Sequence, residues 1–187
     1  MNILTKKIIT RSLPEYKQAK KLYFEAFPKA EREPWFWLML RSKKQYIEFI
    51  GFFNNGKLVG TAYNMSKGDL TYIFYLAVNP ELRGGGYGSK ILKDIVQMYA
   101  GHRFCLSAEK PDSKAANAEQ RERRIAFYKR NGFNDFGKVA VEDGVTYTML
   151  SYGDADFEKQ EYIDLQAYFS GIFTPFAKIK FIDEEQN

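Results

Sequence analysis

The run Leu76-Ala77-Val78-Asn79-Pro80-Glu81-Leu82-Arg83-Gly84-Gly85-Gly86-Tyr87-Gly88-Ser89 has the residue types and order of an anion-binding turn. A β-type stretch ends at Pro80, and an arginine and a glycine cluster follow. An apolar pattern of helical period then starts at Ile91, Leu92, Ile95, Val96 and Tyr99. A helix start carries unpaired N–H groups and partial positive charge, so it attracts phosphate. Glycines let the backbone approach the anion and adopt positive φ. Three phosphate-loop patterns compete here. A P-loop needs Gly-Lys followed by Ser or Thr, which does not occur in this stretch. The dinucleotide fingerprint G-x-G-x-x-G fits at Gly84 and Gly86 and fails at Ser89. The third pattern, Arg or Gln, two residues, Gly, one residue, then Gly or Ala, is met in full by Arg83, Gly86 and Gly88, directly after an L-x-V-x-P strand end. A glycine turn of purely structural use is the plain alternative.

A second motif follows at Arg124-Ile125-Ala126-Phe127-Tyr128-Lys129-Arg130-Asn131-Gly132-Phe133, a helix closed by Asn131-Gly132 with an FY-x-x-x-GF ending. In this order and spacing the two motifs resemble the GCN5-related N-acetyltransferase (GNAT) superfamily, over residues 6–151. The resemblance implies an α/β fold: a central, mostly antiparallel sheet flanked by helices, with one parallel β-α-β unit splayed for acyl-CoA. It implies acetyl-CoA as acyl donor, no metal, and direct attack by a primary amine of a small molecule or peptide in a ternary complex.

The same resemblance assigns residues. Backbone N–H groups from Arg83 through Gly84, Gly85, Gly86, Tyr87 and Gly88 to Ser89 cradle the pyrophosphate, with the Ser89 hydroxyl as a further donor. Leu76, Ala77 and Val78 hydrogen-bond the pantetheine arm as an added strand would, and the Val78 N–H is the oxyanion donor. Tyr128 is the general acid for the leaving thiolate; its plain alternative is a buried tyrosine that satisfies a core carbonyl. This chain departs from the family twice. Arg121 and Arg124 stand on the Tyr128 face of the helix where many members carry N-x-x-A. Tyr72 stands where histone-type members carry a carboxylate base, so a water-relayed base or an already neutral amine is expected. Glu31, Glu33, Asp69 and Glu109 are the candidate carboxylates. His102 follows Gly101 at the end of the sheet remote from the glycine turn and is set aside. Phe27 to Trp37 lines the acceptor in the family reading, or buries Trp35 and Leu38 in the core.

The chain has 187 residues, 45% hydrophobic and 17% aromatic, which fits one globular domain with a sizeable core. No apolar run is long enough to span a bilayer, and the first residues lack the order of a secretion signal. The single cysteine, Cys105, excludes an intramolecular disulfide and reads as a small core residue in a strand. A cytoplasmic protein without membrane or nucleic-acid partners is expected, with a homodimer as one option. The net charge of +5 is a modest excess; Arg121, Arg123, Arg124, Lys129 and Arg130 make a local basic helix, and no nucleic-acid-binding motif accompanies it.

The elements that must position these residues read as strands over 6–11, 46–53, 57–65, 71–78, 103–108, 134–141 and 145–152, and helices over 13–27, 35–40, 86–99 and 117–130. Asn55-Gly56 and Glu142-Asp143-Gly144 are hairpin turns, and Pro28 stops the first helix. Residues 71–108 form a β-α-β unit with parallel strands. Residues 1–153 are assigned to the acetyltransferase domain, and 154–187 to an extension whose Phe157, Tyr162, Leu165, Tyr168 and Phe169 suggest a helix packed on it, with 184–187 frayed. Two other readings stand beside the enzyme: a CoA-binding sensor without turnover, and a Rossmann-like nucleotide module with Glu109 as the ribose-binding acid.

Overall fold

The computed structural model describes residues 3–142, 144–171 and 179–183. In chain order the elements are β1 (Thr5–Ile8), α1 (Tyr16–Ala26), α2 (Trp35–Arg41), β2 (Ile47–Asn54), β3 (Lys57–Lys67), β4 (Leu70–Val78), α3 (Tyr87–Met98), β5 (Arg103–Glu109), α4 (Ala118–Arg130), β6 (Phe133–Glu142), β7 (Val145–Tyr152), α5 (Lys159–Ser170) and β8 (Ile179–Asp183). Short 3-10 turns cover Lys29–Glu31 and Pro80–Leu82. Strands hydrogen-bond in the order β1-β2-β3-β4-β5-β7-β6-β8. The β4–β5 pair is parallel, joining Leu70–Tyr72 to Arg103–Cys105, and the pairs β1–β2, β2–β3, β5–β7, β6–β7 and β6–β8 are antiparallel. This is the mixed, mostly antiparallel α/β sheet that the sequence motifs imply.

The chain divides into two units. The first holds the described residues through Ser66 together with Ile73–Ala100, and the second Lys67–Tyr72 with the described residues from Gly101 onward. In the first, β2 and β3 are almost wholly buried because helices cover both faces. Asn55 at φ 48° and Gly56 at φ 77° make the left-handed pair that a two-residue hairpin needs. An aromatic layer of Tyr23, Trp35, Phe49 and Tyr63 fills one face, and Ile91, Leu92 and Ile95 of α3 fill the other. A Cβ on Gly60 would stand 2.5 Å from the Ala77 carbonyl oxygen and 2.6 Å from Ile91 Cδ1. Glycine therefore permits β4 and α3 to close on β3 just before the glycine turn.

The second unit is built on β5, β7, β6 and β8, with Phe104, Leu106, Phe133, Met149 and Leu150 in its core. Helix α5 adds Tyr162, Leu165 and Phe169, and a reciprocal capping box between Glu158 and Glu161 fixes its start. Arg103 grips Asp69 (2.6 and 2.9 Å) and Glu161 (2.7 and 3.1 Å), and also donates to the Asp156 carbonyl at 2.9 Å, which ties the start of β5 to α5. Strand β1 ends at Ile8 instead of residue 11, and two further features differ from the sequence reading. Helix α1 begins at Tyr16 instead of residue 13, because Pro14 biases Leu13 away from helical geometry. Strand β8 went unread, since Ile179–Asp183 is short and gains its ladder only by pairing with β6. The expected turn residue Asp143 and the expected frayed end at 184–187 lie outside the described residues. Among the described residues no helix is long and apolar enough to cross a membrane.

Candidate active site

Strand β4 leads straight into the glycine turn. Asn79 caps the 3-10 turn by accepting from the Glu81 N–H at 3.1 Å, and its own N–H donates to the Val59 carbonyl on β3 at 2.9 Å. Backbone groups alternate sides along an extended chain. With the Asn79 N–H facing β3, the Val78 N–H faces away from β3, along the other edge of β4. Val78 and Leu76 are half-buried and Ala77 is buried.

Arg83 is exposed, and Gly84 and Gly86 adopt φ of 80° and 76°, with nothing within 4 Å of where a Cβ would stand. Gly86 is the N-cap of α3 and provides no side chain to cap it. The first bond of α3 runs from the Lys90 N–H to the Gly86 carbonyl at 3.1 Å. The N–H groups of Tyr87, Gly88 and Ser89 therefore precede the helical ladder and point out of the helix start. Two of the expected donors are turned inward: the Arg83 N–H donates to Pro80 and the Gly85 N–H to Leu82, each at 3.3 Å. The Tyr87 ring is pinned beside the turn, its hydroxyl accepting from Asn54 Nδ2 at 2.8 Å. Open space, left-handed glycines and aligned N–H groups fit a phosphate group held by backbone.

Tyr128 lies on the inner face of α4 among Phe127 and Phe133 and is 9% exposed. Burial raises its phenol above the ordinary value, and the Arg124 charge pulls it back in part. No hydrogen bond to this hydroxyl occurs among the described residues. The alternative of a tyrosine satisfying a core carbonyl is therefore not what the structure displays. Arg121 and Arg124 close on the buried carboxylate of Glu109 at 2.8 and 3.3 Å, and Asn117 Nδ2 joins them at 3.1 Å. Glu109 is thus an ion-pair anchor for α4.

Asp69 is likewise held by Arg103, which keeps its carboxyl below the usual range. Glu31 and Glu33 belong to the loop between α1 and α2, which is latched by tyrosine hydroxyls. Tyr75 donates to the Glu31 carbonyl at 2.7 Å and accepts from the Glu33 N–H at 3.1 Å, while Tyr23 donates to the Glu33 carbonyl at 3.0 Å. Trp35 and Leu38 are buried, as the core reading of this segment has it, and Phe36 is exposed. His102 shares a 2.8 Å hydrogen bond with Thr71 near the start of β4, whereas the glycine turn follows its end. Among the described residues no group of three or more His, Cys, Asp or Glu could hold a metal ion.

Tyr72, which the family resemblance sets where histone-type members carry a carboxylate, is buried in a polar chain that no local pattern of the sequence signals. Its hydroxyl meets Ser107 Oγ at 2.6 Å and the Tyr162 hydroxyl at 3.3 Å. The Tyr162 hydroxyl donates to Glu142 Oε1 at 2.6 Å and accepts from Gln166 Nε2 at 2.9 Å. Glu142 read as a turn residue and Tyr162 as core packing, and no local pattern joins β4, β5, β6 and α5 into one cluster.

The family profile described as acetyltransferase (GNAT) family matches residues 16–133. No curated protein sequence matches the chain. Among solved structures, the chain is similar to a GNAT-family protein from Bacteroides thetaiotaomicron, with a TM-score of 0.75 at 23% identity, covering 91% of this chain and 98% of that one. It is similar to a GNAT family acetyltransferase from Elizabethkingia anophelis with acetyl-CoA bound, with a TM-score of 0.58 at 14% identity over 82% and 99% of the two chains. It is also similar to the ribosomal-protein-S18-alanine N-acetyltransferase from Escherichia coli, with a TM-score of 0.57 at 18% identity over 83% and 97%. At these identities the likeness is one of fold, and the profile match is what assigns the sequence. Matched over most of its length by that profile and carrying its glycine turn on the expected strand and helix, the chain belongs to the acetyltransferase (GNAT) family.

Proposed function

We propose that this chain transfers the acetyl group of acetyl-CoA to a primary amine of a small molecule or peptide by direct attack. The observation that carries the reading is the glycine turn: two left-handed glycines with open space over them, ahead of a helix whose first N–H groups have no ladder partner. The N–H groups of Gly84, Gly86, Tyr87, Gly88 and Ser89 hold the pyrophosphate, while Arg83 and Gly85 shape the turn and Arg83 offers its charge. Leu76, Ala77 and Val78 present backbone to the amide-bearing arm of the donor. Val78 N–H, directed away from β3, donates to the thioester oxygen as negative charge builds there.

Tyr128 supplies the proton for the departing sulfur. Its raised pKa keeps it protonated at neutral pH, and the nearby Arg124 charge offsets part of the cost of giving the proton up. Residues 1–153 form the catalytic domain in this reading, and 154–187 an extension of it. That one protein of the same fold has been solved with acetyl-CoA bound, and others with coenzyme A, supports the donor.

The test has two steps. Acetyl-CoA, but not NAD, is expected to raise the melting temperature; the mostly antiparallel sheet already sets the Rossmann-like alternative aside, and no shift with acetyl-CoA would refute the donor. An amine panel is then scored by release of free CoA. Tight acetyl-CoA binding without CoA release on any amine would make the chain a sensor and refute the enzymatic reading.

A further inference from the structure

The buried chain at Tyr72 has a direction. A tyrosine hydroxyl carries one proton. Tyr162 gives its proton to the Glu142 carboxylate at 2.6 Å, so at the 3.3 Å contact Tyr72 is the donor to Tyr162. Tyr72 is then left as the acceptor for Ser107 at 2.6 Å. Gln166 holds the Tyr162 oxygen in place from the next turn of α5. The order is Ser107, Tyr72, Tyr162, Glu142, with every hydroxyl pointing toward the carboxylate. Tyr72 and Tyr162 are sealed, at 1% and 0% exposure, while Ser107 and Glu142 at the two ends are half-buried.

Among the described residues these groups act on its phenols, and β8, paired with β6, adds Phe181 against the Tyr162 ring with the Lys159 charge over Phe181. From β4 comes Tyr72; from β5 come Ser107 and the Cys105 thiol, which burial keeps neutral; from α5 come Tyr162 and Gln166. Glu142, from β6, is the charge that acts on both phenols, and burial and that charge hold both well above the ordinary value, so neither ionises itself.

We infer that Ser107, Tyr72, Tyr162 and Glu142 form a proton relay that replaces the strand carboxylate this chain lacks, taking the proton of the acceptor amine at Ser107 and delivering it to Glu142. The inference rests on the acetyltransferase reading above. The ammonium gives a proton to Ser107 Oγ, Ser107 passes its own to Tyr72, Tyr72 to Tyr162, and Tyr162 to Glu142. The balance is R–NH₃⁺ plus Glu142 carboxylate going to R–NH₂ plus Glu142 carboxylic acid, and half-buried Glu142 returns the proton to water. Ser107 is the group that meets substrate, and the other residues act through it. Helix α5, from the extension, is thereby part of the acceptor chemistry, because it supplies Tyr162 and Gln166.

A structural network and a relay differ in pH dependence. With the relay, kcat/KM for the amine follows the product of carboxylate and ammonium, which is flat between their two pKa values. Without it, kcat/KM follows the neutral amine and rises about tenfold per pH unit below the pKa of a lysine-like amine near 10.4. The experiment measures kcat/KM between pH 6.5 and 8.5 by CoA release, with an amine accepted in the panel, for the wild type, Glu142→Gln, Tyr162→Phe and Ser107→Ala. The expected wild-type change is below about threefold, against about a hundredfold rise in each variant. Two conservative variants in different elements guard against a single folding defect, and circular dichroism checks each. CoA release with parallel profiles in wild type and variants, or a steep wild-type profile, overturns the relay alone. No CoA release on any amine overturns the acetyltransferase reading, and the relay with it. Carbon-13 NMR of Glu142 is expected to show an ionised carboxylate at pH 7, and a protonated one overturns the relay whatever the kinetics.

Discussion

Replacing Gly86 with valine tests the glycine turn, and the structure separates two costs. Gly86 sits at φ 76° with nothing within 4 Å of a Cβ position, so valine meets backbone strain instead of a clash. A left-handed backbone costs an ordinary residue about 1–2 kcal/mol, which corresponds to a melting-point loss of roughly 2–8 °C for a chain of this size. The fold is therefore expected to survive. Relief of that strain re-aims the N–H groups of Gly86, Tyr87 and Gly88, and a hydrogen bond to a charged group is worth about 1.5–3 kcal/mol. Loss of one such bond weakens acetyl-CoA binding at least tenfold, or about 1.4 kcal/mol. Gly68, in the turn between β3 and β4, supplies the control: φ is 59° and the space around it is equally open. Gly68→Val is expected to lower the melting point similarly and leave acetyl-CoA affinity unchanged by calorimetry. Unchanged affinity in Gly86→Val, or an equal loss in both variants, would refute the assignment of this turn to the donor.

Tyr128→Phe is expected to lower turnover roughly 10²–10⁴-fold with acetyl-CoA binding intact; turnover within about twofold of wild type would make Tyr128 structural. Gly60→Ala pushes a methyl against the Ala77 carbonyl oxygen, a backbone atom that yields little, and is expected to cost about 1–3 kcal/mol in urea unfolding. Tyr75→Phe releases both of its hydroxyl bonds to the Glu31–Glu33 loop, so amide exchange at Glu33 is expected to accelerate while the strands keep their protection. Arg103 holds the Asp69 and Glu161 carboxyls below their ordinary values, so their contribution is present above the unfolded pKa near 4 and lost as pH falls through the lower folded values. Arg103→Met is expected to lower the melting temperature at pH 7 and to flatten its decline below pH 4; an unchanged pH profile would show that the pairs contribute nothing.

The local order of residues was enough for the frame. A β-type run ended by Pro80, left-handed glycines at 84 and 86, helical periodicity through Ile91, Leu92 and Ile95, and the Asn55-Gly56 turn each act over a few neighbouring residues. Steric and hydrogen-bonding rules of that range are written in the chain itself, and the family assignment rests on the same local motifs. What those residues touch was decided only by tertiary structure. Glu109 is a plausible base in the sequence and an anchor for Arg121 and Arg124 once α4 lies along β5. Two of the expected turn donors, Arg83 and Gly85, spend their N–H groups on the turn. Glu142 belongs to a hairpin and Tyr162 to a helix of the extension, yet folding brings both to Tyr72. The physical reason is that most buried hydroxyls are paired, as those of Tyr72 and Tyr162 are, and with whatever group the packed chain brings near. That partner is chosen by strand register and helix docking, which periodicity along a single chain does not encode.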